Sequence, residues 1–555
     1  MKQITIICEN NNIVRDYPIG MTLKEIAEDM KIYIVGGILG AYVNNKNNEL
    51  DFVLIQPSTV RFFGIESVDG QRAYSRTLLF VLYKAVHDLF DRHKLFLENS
   101  VASGFYCTIK QGRNILNEEG ICLVKQRMRE IIMADIPIIR KEMPTAEAIK
   151  LFERQGLNAK TKLLSSRGNL YTSVYSIGNV VDYFYGFLAP STGVLKVFDL
   201  VQYDNGVILS IPDPKTNFTT VKPFVYQPKM MGNFNAYNRW QEAFKLENIG
   251  DLNEAIRDGH ISDVIKIAEA NQEVRFHYAA DKIRKKAKNI RIILLAGPSS
   301  SGKTTSAQRL SVHLQVLGIR CVKISLDDYF VDREFTPKDE NGDYDFEALE
   351  AIDVKFFNRQ LNQLLKGEEV ELPRFDFKTG KRFYDGTKLK LGKRDMVIIE
   401  GIHGLNPNLT PDIDDKYLYK VYVSALTTIS IDGHNVIPTT DNRLIRRIIR
   451  DYRFRGYSAM ETIKRWPKVR EGEDKHIFPF QENADFMFNS ALLYELAVLK
   501  PYIVPLLENV PQFCGEYSEA RRLLKFISYF DSVGTEEIPP TSIMKEFLGG
   551  SSFRY

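Results

Sequence analysis

Between Ile290 and Gly318 the hydrophobic pattern changes period within one short stretch. Ile290, Ile292, Ile293, Leu294, Leu295 and Ala296 make a compact β-branched run, as expected of a strand buried on both faces of a parallel sheet. After a glycine- and serine-rich break, Ala307, Leu310, Leu314 and Leu317 recur at helical spacing, and Gly318 follows as a C-terminal cap. Two more strands are predicted at Arg320 to Ser325 and Asp395 to Gly401, with Asp327 just after the first and Glu400 at the end of the second. Near the start, alternation over residues 2 to 8, a polar turn at Asn10-Asn11-Asn12 and a second strand precede Thr22 and Glu25, which are spaced as a capping box. The stripe Leu23, Ile26, Ala27, Met30 completes a small β-grasp pattern. Residues 236 to 288 carry helical patterns with charged faces and read as a helical connector.

Composition narrows the classes without naming one. The chain has 555 residues, 44% of them hydrophobic and 26% charged, which suits several globular domains and excludes wholesale disorder. The net charge of +4 is too small to imply a polyanionic partner unless it is clustered. Five scattered cysteines without a CxxC pair argue against metal ribbons and disulfide frameworks. No apolar run approaches the roughly 18 residues of a membrane span, and the first apolar stretch is too short for a signal segment, so a cytoplasmic protein without a membrane partner is expected.

The break between strand and helix carries the chemistry. Gly297-Pro298-Ser299-Ser300-Ser301-Gly302-Lys303-Thr304 is a complete GxxxxGK[ST] phosphate loop in strand–loop–helix context, continued by Thr305. Its amides and the helix N-terminus favour phosphate, Lys303 suits the β and γ phosphates, and Thr304 suits Mg²⁺, so ATP and Mg²⁺ are the expected ligands. A GTPase should add NKxD downstream; Asn45-Lys46-Asn47-Asn48 lacks the aspartate and lies far upstream. Asp327, at the C-terminal edge of a strand, can accept a proton from a substrate hydroxyl, and Glu400 can hold the metal.

These segments, over roughly 290 to 490, resemble the uridine kinase and phosphoribulokinase family of P-loop kinases. The family's Asp-x-Phe-Tyr segment is similar to Asp327-Asp328-Tyr329-Phe330, its Asn-Phe-Asp to Asp345-Phe346-Glu347, its Pro-x-Tyr-Asp-Phe to Pro373-Arg374-Phe375-Asp376-Phe377, and its Glu-Gly-Ile to Glu400-Gly401-Ile402. The resemblance implies Asp327 as general base and Phe330, Phe346, Glu347, Phe375 and Arg443 as acceptor contacts. The family's base-reading tyrosine and histidine fall on Phe375 and Gly380, so uridine or cytidine is the family default rather than a deduction. Wound as a helix, Asp441 to Gly456 has an apolar face of Leu444, Ile445, Ile448, Ile449 and Tyr452 opposite an arginine face. It resembles the family's lid, with Arg450, Arg453 and Arg455 closing over the phosphoryl group.

Residues 1 to 62 resemble a TGS domain, and 63 to 235 resemble the editing domain of threonyl-tRNA synthetases, through Ser103-Gly104-Phe105-Tyr106 and Val180 to Gly186. The positions of that domain's metal ligands hold Tyr74, Leu78, Phe184 and Leu188, none able to ligate a metal, so a scaffold or binding surface is expected. Lys110, Arg113, Lys125, Arg127, Arg129, Arg140 and Lys141 are interleaved with Glu118, Glu119, Glu130 and Glu142, so RNA is a permitted but not favoured partner. The expected whole is multidomain: an α+β β-grasp unit (1–62), an α+β editing-like unit (63–235), a helical connector (236–288), and an α/β kinase with a doubly wound parallel sheet and a C-terminal tail (289–555). The expected function is phosphorylation of a nucleoside-like hydroxyl. The alternatives are a phosphoribulokinase-like metabolite kinase, or a nucleotide-dependent regulator or RNA-binding protein. A homo-oligomer is compatible with the chain, and whether the tail frays or folds over a site is left open.

Overall fold

The computed structural model describes residues 2–90, 93–101, 104–111, 115–339 and 342–554, with 110 and 111 as backbone only. Ser103 and Arg113 of the sequence reading lie outside the described residues.

Leu23–Asp29 starts on a capping box between Thr22 and Glu25 and buries Leu23, Ile26 and Ala27 against a five-stranded sheet. That sheet runs Ile13–Pro18, Gln3–Cys8, Ser58–Phe63, Gly40–Val43, Lys46–Asn48, and its first and last strands in the chain are parallel neighbours at its centre, as in a β-grasp. Asn44 and Asn45, both at positive φ, make the tight turn between the last two strands of the sheet order. A second region follows, with the helix Val68–Leu89, a four-stranded antiparallel sheet containing Lys94–Val101 and Gly104–Gln111, and a three-stranded sheet of Ile138–Pro144, Tyr171–Ile177 and Val180–Asp182.

The C-terminal region is built on a five-stranded sheet, all parallel, in the order Cys321–Ser325, Met396–Glu400, Ile292–Ala296, Leu418–Ser424, Phe486–Asn489. Register pairs both Leu295 and Ser325 with Glu400, so the phosphate loop, Asp327 and Glu400 emerge at one edge, where an open α/β sheet holds its ligands. The helix Ile261–Lys285 is more than a connector: Phe276, Ala279, Ala280 and Ile283 share a core with Ile293 and Leu295. Its Glu273 accepts from Arg309 at 2.6 Å and lies 2.6 Å from His313 Nε2, both on the phosphate-loop helix Lys303–Val316. No helix among the described residues is long and apolar enough to cross a membrane.

The largest hydrophobic cluster takes side chains from both halves of the chain, including Phe152, Leu163, Ile265, Ile448 and Phe526. A buried ionic cluster joins them as well. Lys160, 1% exposed, lies 2.8 Å from Asp182 and 2.9 Å from Asp432, and His434 Nδ1 is 2.7 Å from the other oxygen of Asp182. Burial alone would raise the Asp182 pKa, but Lys160 and His434 outweigh it and hold it at about 2. Lys160→Met would strand two buried carboxylates and is expected to lower stability by about 3–5 kcal/mol, read as an earlier urea transition of the full chain. Because the folded pKa of Asp182 is depressed, its contribution is complete above about pH 4 and lost as pH falls through about 2; a midpoint shift equally large at pH 2 would contradict the assignment.

Candidate active site at the phosphate loop

The loop from Gly297 to Gly302 is shaped by what its backbone must avoid and satisfy. A Cβ on Gly297 would stand 2.0 Å from the carbonyl oxygen of Val423, so no side chain fits, and Gly302 sits at φ +81° as the chain turns into its helix. The loop carbonyls turn back into the protein and meet cations: Lys303 Nζ donates to the carbonyls of Gly297 at 2.9 Å and Pro298 at 3.1 Å, Arg443 to that of Ser299 at 3.2 Å, and Arg446 to that of Ser300 at 3.4 Å. Two amides of the segment already hold carboxylates. Ser299 N–H donates to Glu473 at 2.9 Å, and Thr305 gives its N–H at 3.2 Å and its hydroxyl at 2.6 Å to Glu546. The segment therefore already binds anions, as phosphate-loop amides and a helix N-terminus should.

Arg443 and Arg446 do not lie where the sequence suggests. Both are fully buried: Arg443 forms a bidentate pair with Glu473, its Nη2 at 2.8 Å, and Arg446 pairs with Glu495. Arg443, expected on the acceptor side, instead braces the back of the loop. The division of the helix Thr439–Arg455 into an apolar and an arginine face also fails, because Tyr452 is 55% exposed while these two arginines are core. Charge pairing makes their burial affordable, and the partners lie 30 and 49 residues downstream, beyond any local pattern.

Further along the helix, buried Asp451 gathers Arg447 at 3.2 Å, Arg450 at 2.9 Å and Arg455 at 3.6 Å. Arg447, which the sequence did not single out, also donates to Ser299 Oγ at 2.6 Å. Arg450 acts electrostatically on Lys303 and Arg455 on Asp327, which brings both to the site. Arg453 goes elsewhere: its guanidinium lies 5.9 Å over the Tyr502 ring and against Gly549.

On the acceptor side, burial raises the Asp327 carboxyl while Lys303 and Arg455 pull it down; the residue is solvent-exposed, which screens the push of burial. Burial likewise raises Glu347 to about 6, against the pull of Arg447 and Lys303. Phe330 has Phe375 at 5.5 Å, Phe377 at 5.9 Å and Phe346 at 6.2 Å, all edge-on, forming a cluster of rings beside Asp327. Asp328 turns away to Arg374 at 3.1 Å.

Thr304 Oγ1 donates to Glu400 Oε1 at 3.1 Å, while Glu400 Oε2 is buried without a partner. A hydroxyl and a carboxylate with one unsatisfied oxygen, beside a phosphate loop, fit a hard divalent cation, so these two residues would hold Mg²⁺. In the N-terminal half, Tyr74, Leu78, Phe184 and Leu188 are all buried in one hydrophobic cluster, an apolar core without metal-ligating side chains at these four positions.

Strand order, phosphate loop and edge carboxylates together define a P-loop phosphotransferase. Residues 292–495 match the Phosphoribulokinase / Uridine kinase family, and this part of the chain is a kinase domain of that family, which implies use of ATP and Mg²⁺. The N-terminal region matches threonine–tRNA ligases: that of Syntrophomonas wolfei is 28% identical over 189 residues, 34% of this chain and 30% of the ligase. The chain thus spans about 30% of the length of the curated relatives it matches. Among solved structures, a possible uridine kinase from Bacillus stearothermophilus is 22% identical with a TM-score of 0.27, covering 39% of this chain and 97% of its own. A putative fructose transport system kinase from Silicibacter sp. TM1040 is 17% identical with a TM-score of 0.28, covering 38% and 98%.

The C-terminal tail folds over this site. Met544–Leu548 carries Glu546 to Thr305, Phe547 lies under the Arg446 guanidinium at 5.0 Å, and Ile543 packs on Gly302. Glu546 therefore competes with phosphate for Thr305. Glu546→Ala is expected to tighten Mg-ATP binding roughly 5–10-fold by calorimetry, about the net worth of one ordinary hydrogen bond; unchanged or weaker binding would mean the carboxylate is no competitor.

Proposed function

We propose that the protein is an ATP-dependent kinase that transfers the γ-phosphoryl group to a hydroxyl of a nucleoside or nucleoside-like acceptor. The observation that carries this reading is the grouping of Asp327, Glu347 and the Phe330–Phe346–Phe375 rings around the loop lysine; a nucleotide switch would need only the loop. The rings supply an apolar surface for a base or similar planar group, and Glu347 accepts hydrogen bonds from sugar hydroxyls. Lys303 swings from the loop carbonyls to the phosphates, whose oxygens the loop amides receive. Asp327 takes the proton of the attacking hydroxyl, and Arg450 and Arg455 stabilise the charge that develops on the transferred group. Mg²⁺ on Thr304 and Glu400 would neutralise phosphate charge. Positioning and electrostatics account for most of the rate.

A second reading, a sugar-phosphate or similar metabolite kinase, is favoured by one feature. At Gly380, where the family reads a base with histidine, the space beside the Cα is taken by the Arg333 side chain, a cation suited to an anionic substituent. The division into a TGS-like unit (1–62), an editing-like unit (63–235), a connector (236–288) and a kinase unit (289–555), together with a cytoplasmic location, belongs to the same proposal. RNA is not the favoured partner of the front half.

Asp327→Asn should leave Mg-ATP affinity within about 3-fold while turnover falls by roughly 10²–10⁴. ADP release measured against a panel of nucleosides and sugar phosphates, with Lys303→Ala as the blank, tests both statements. Turnover by Asp327→Asn near the wild-type rate would remove the base assignment, and silence of the wild type across the panel with ATP still bound would favour a regulator.

A further inference from the structure

A cavity of about 1020 Å³ lies where the β-grasp unit, the region after it and the C-terminal helices meet, and none of its lining residues belongs to the phosphate-loop site. Its walls carry nine lysines and arginines against five aspartates and glutamates, a surplus of four that equals the net charge of the whole chain. Glu519 and Asp441, which pair with wall arginines without lining the cavity, reduce that surplus to two. Some of its cations are already neutralised: Arg72 pairs with Glu519 at 2.6 Å, and Arg522 grips Asp441 at 2.6 and 2.8 Å.

Others are not. Among the described residues, Arg76, Arg167 and Lys525 have no carboxylate within the 4.0 Å of an ion pair. Arg76 is fixed by the carbonyl of Phe187, at 3.1 Å from Nε and 2.9 Å from Nη2, with the Tyr185 and Phe187 rings 5.6 and 5.7 Å away. Arg167 is held by the Tyr183 hydroxyl at 3.0 Å and lies 4.0 Å over the Tyr529 ring. Arg140, by contrast, is paired, 3.9 Å from Glu49, which the Tyr175 hydroxyl also engages. Neutral groups thus hold two of the guanidiniums in place without cancelling their charge. Lys525 is exposed along the cavity wall; the protein around it first, then Arg167, Arg76 and Arg140, push its pKa down to about 8. Like charges gathered without a counter-ion cost free energy that an anion would recover.

We propose that this cavity is a second ligand site, taking a phosphate-bearing small molecule of about mononucleotide size on Arg76, Arg167 and Lys525. Fixed guanidiniums suit the oxygens of a phosphate, and Tyr171, 59% exposed, with Tyr185 and Phe187 offers ring faces for a planar group. The volume is at the upper end of ordinary small-molecule pockets. The site stands independently of the kinase reading, since it shares no residue with the phosphate loop.

Lys525 itself provides the readout, because an amine with a pKa near 8 is acylated readily at neutral pH. The full chain is treated with limiting acetic anhydride with and without pyrophosphate or AMP, and lysine modification is followed by mass spectrometry. We expect either ligand at saturation to slow Lys525 acylation by at least ~10-fold while leaving exposed Lys393 unchanged, and the protection to persist in Lys303→Ala, where the phosphate loop is crippled. It should fall at least ~5-fold in Arg167→Gln at the same ligand concentration. Pyrophosphate and AMP protecting equally would assign the site to the phosphate group alone, and stronger protection by AMP would add the rings. No protection by either, protection lost in Lys303→Ala, or protection only by a short RNA would overturn the proposal.

Discussion

The structure around the phosphate loop follows from one requirement: a loop that offers N–H groups to phosphate must turn its carbonyls into the protein, and buried carbonyls need donors. Four successive carbonyls, from Gly297 to Ser300, are met by Lys303, Arg443 and Arg446. Arginines that deep need carboxylates, so Glu473 and Glu495 are drawn in, and with them the helices Ala459–His476 and Glu495–Glu508. A local demand of backbone geometry thus propagates through paired charges to three helices packed behind the site. Buried Asp451 repeats the device further along the helix, holding Arg447, Arg450 and Arg455 together.

The two halves are joined by more than a linker. A shared hydrophobic cluster, the Lys160–Asp182–Asp432 group, and the chain of pairs from Arg72 through Glu519 and Arg522 to Asp441 all cross between them. Asp441 lies in the first turn of the helix that carries the site arginines, so this helix links the wall of the basic cavity to the phosphate loop. In the front half, Tyr74, Leu78, Phe184 and Leu188 are part of a hydrophobic core, while basic side chains line the cavity beside it.

By itself, the sequence determined what depends on neighbours along the chain. The strand–loop–helix of the phosphate loop, the capping box at Thr22 and the carboxylates closing two strands were all legible, because a motif that binds through its own backbone must keep its spacing. Asp327 and Glu400 were marked by their place at strand ends, and Glu347 only by the family resemblance. What only the tertiary structure decided was the direction of side chains on a helix and the identity of distant partners. Arg443, Arg446, Arg450 and Arg453 look alike in a string of letters, yet two are core, one faces the site and one packs on Tyr502. Glu473, Glu495 and Glu546 lie 30, 49 and 241 residues from Arg443, Arg446 and Thr305, and nothing in their local sequence marks these pairings. A buried charge is settled by whichever opposite charge the fold brings within about 3 Å, and that distance exists only once the chain has closed on itself.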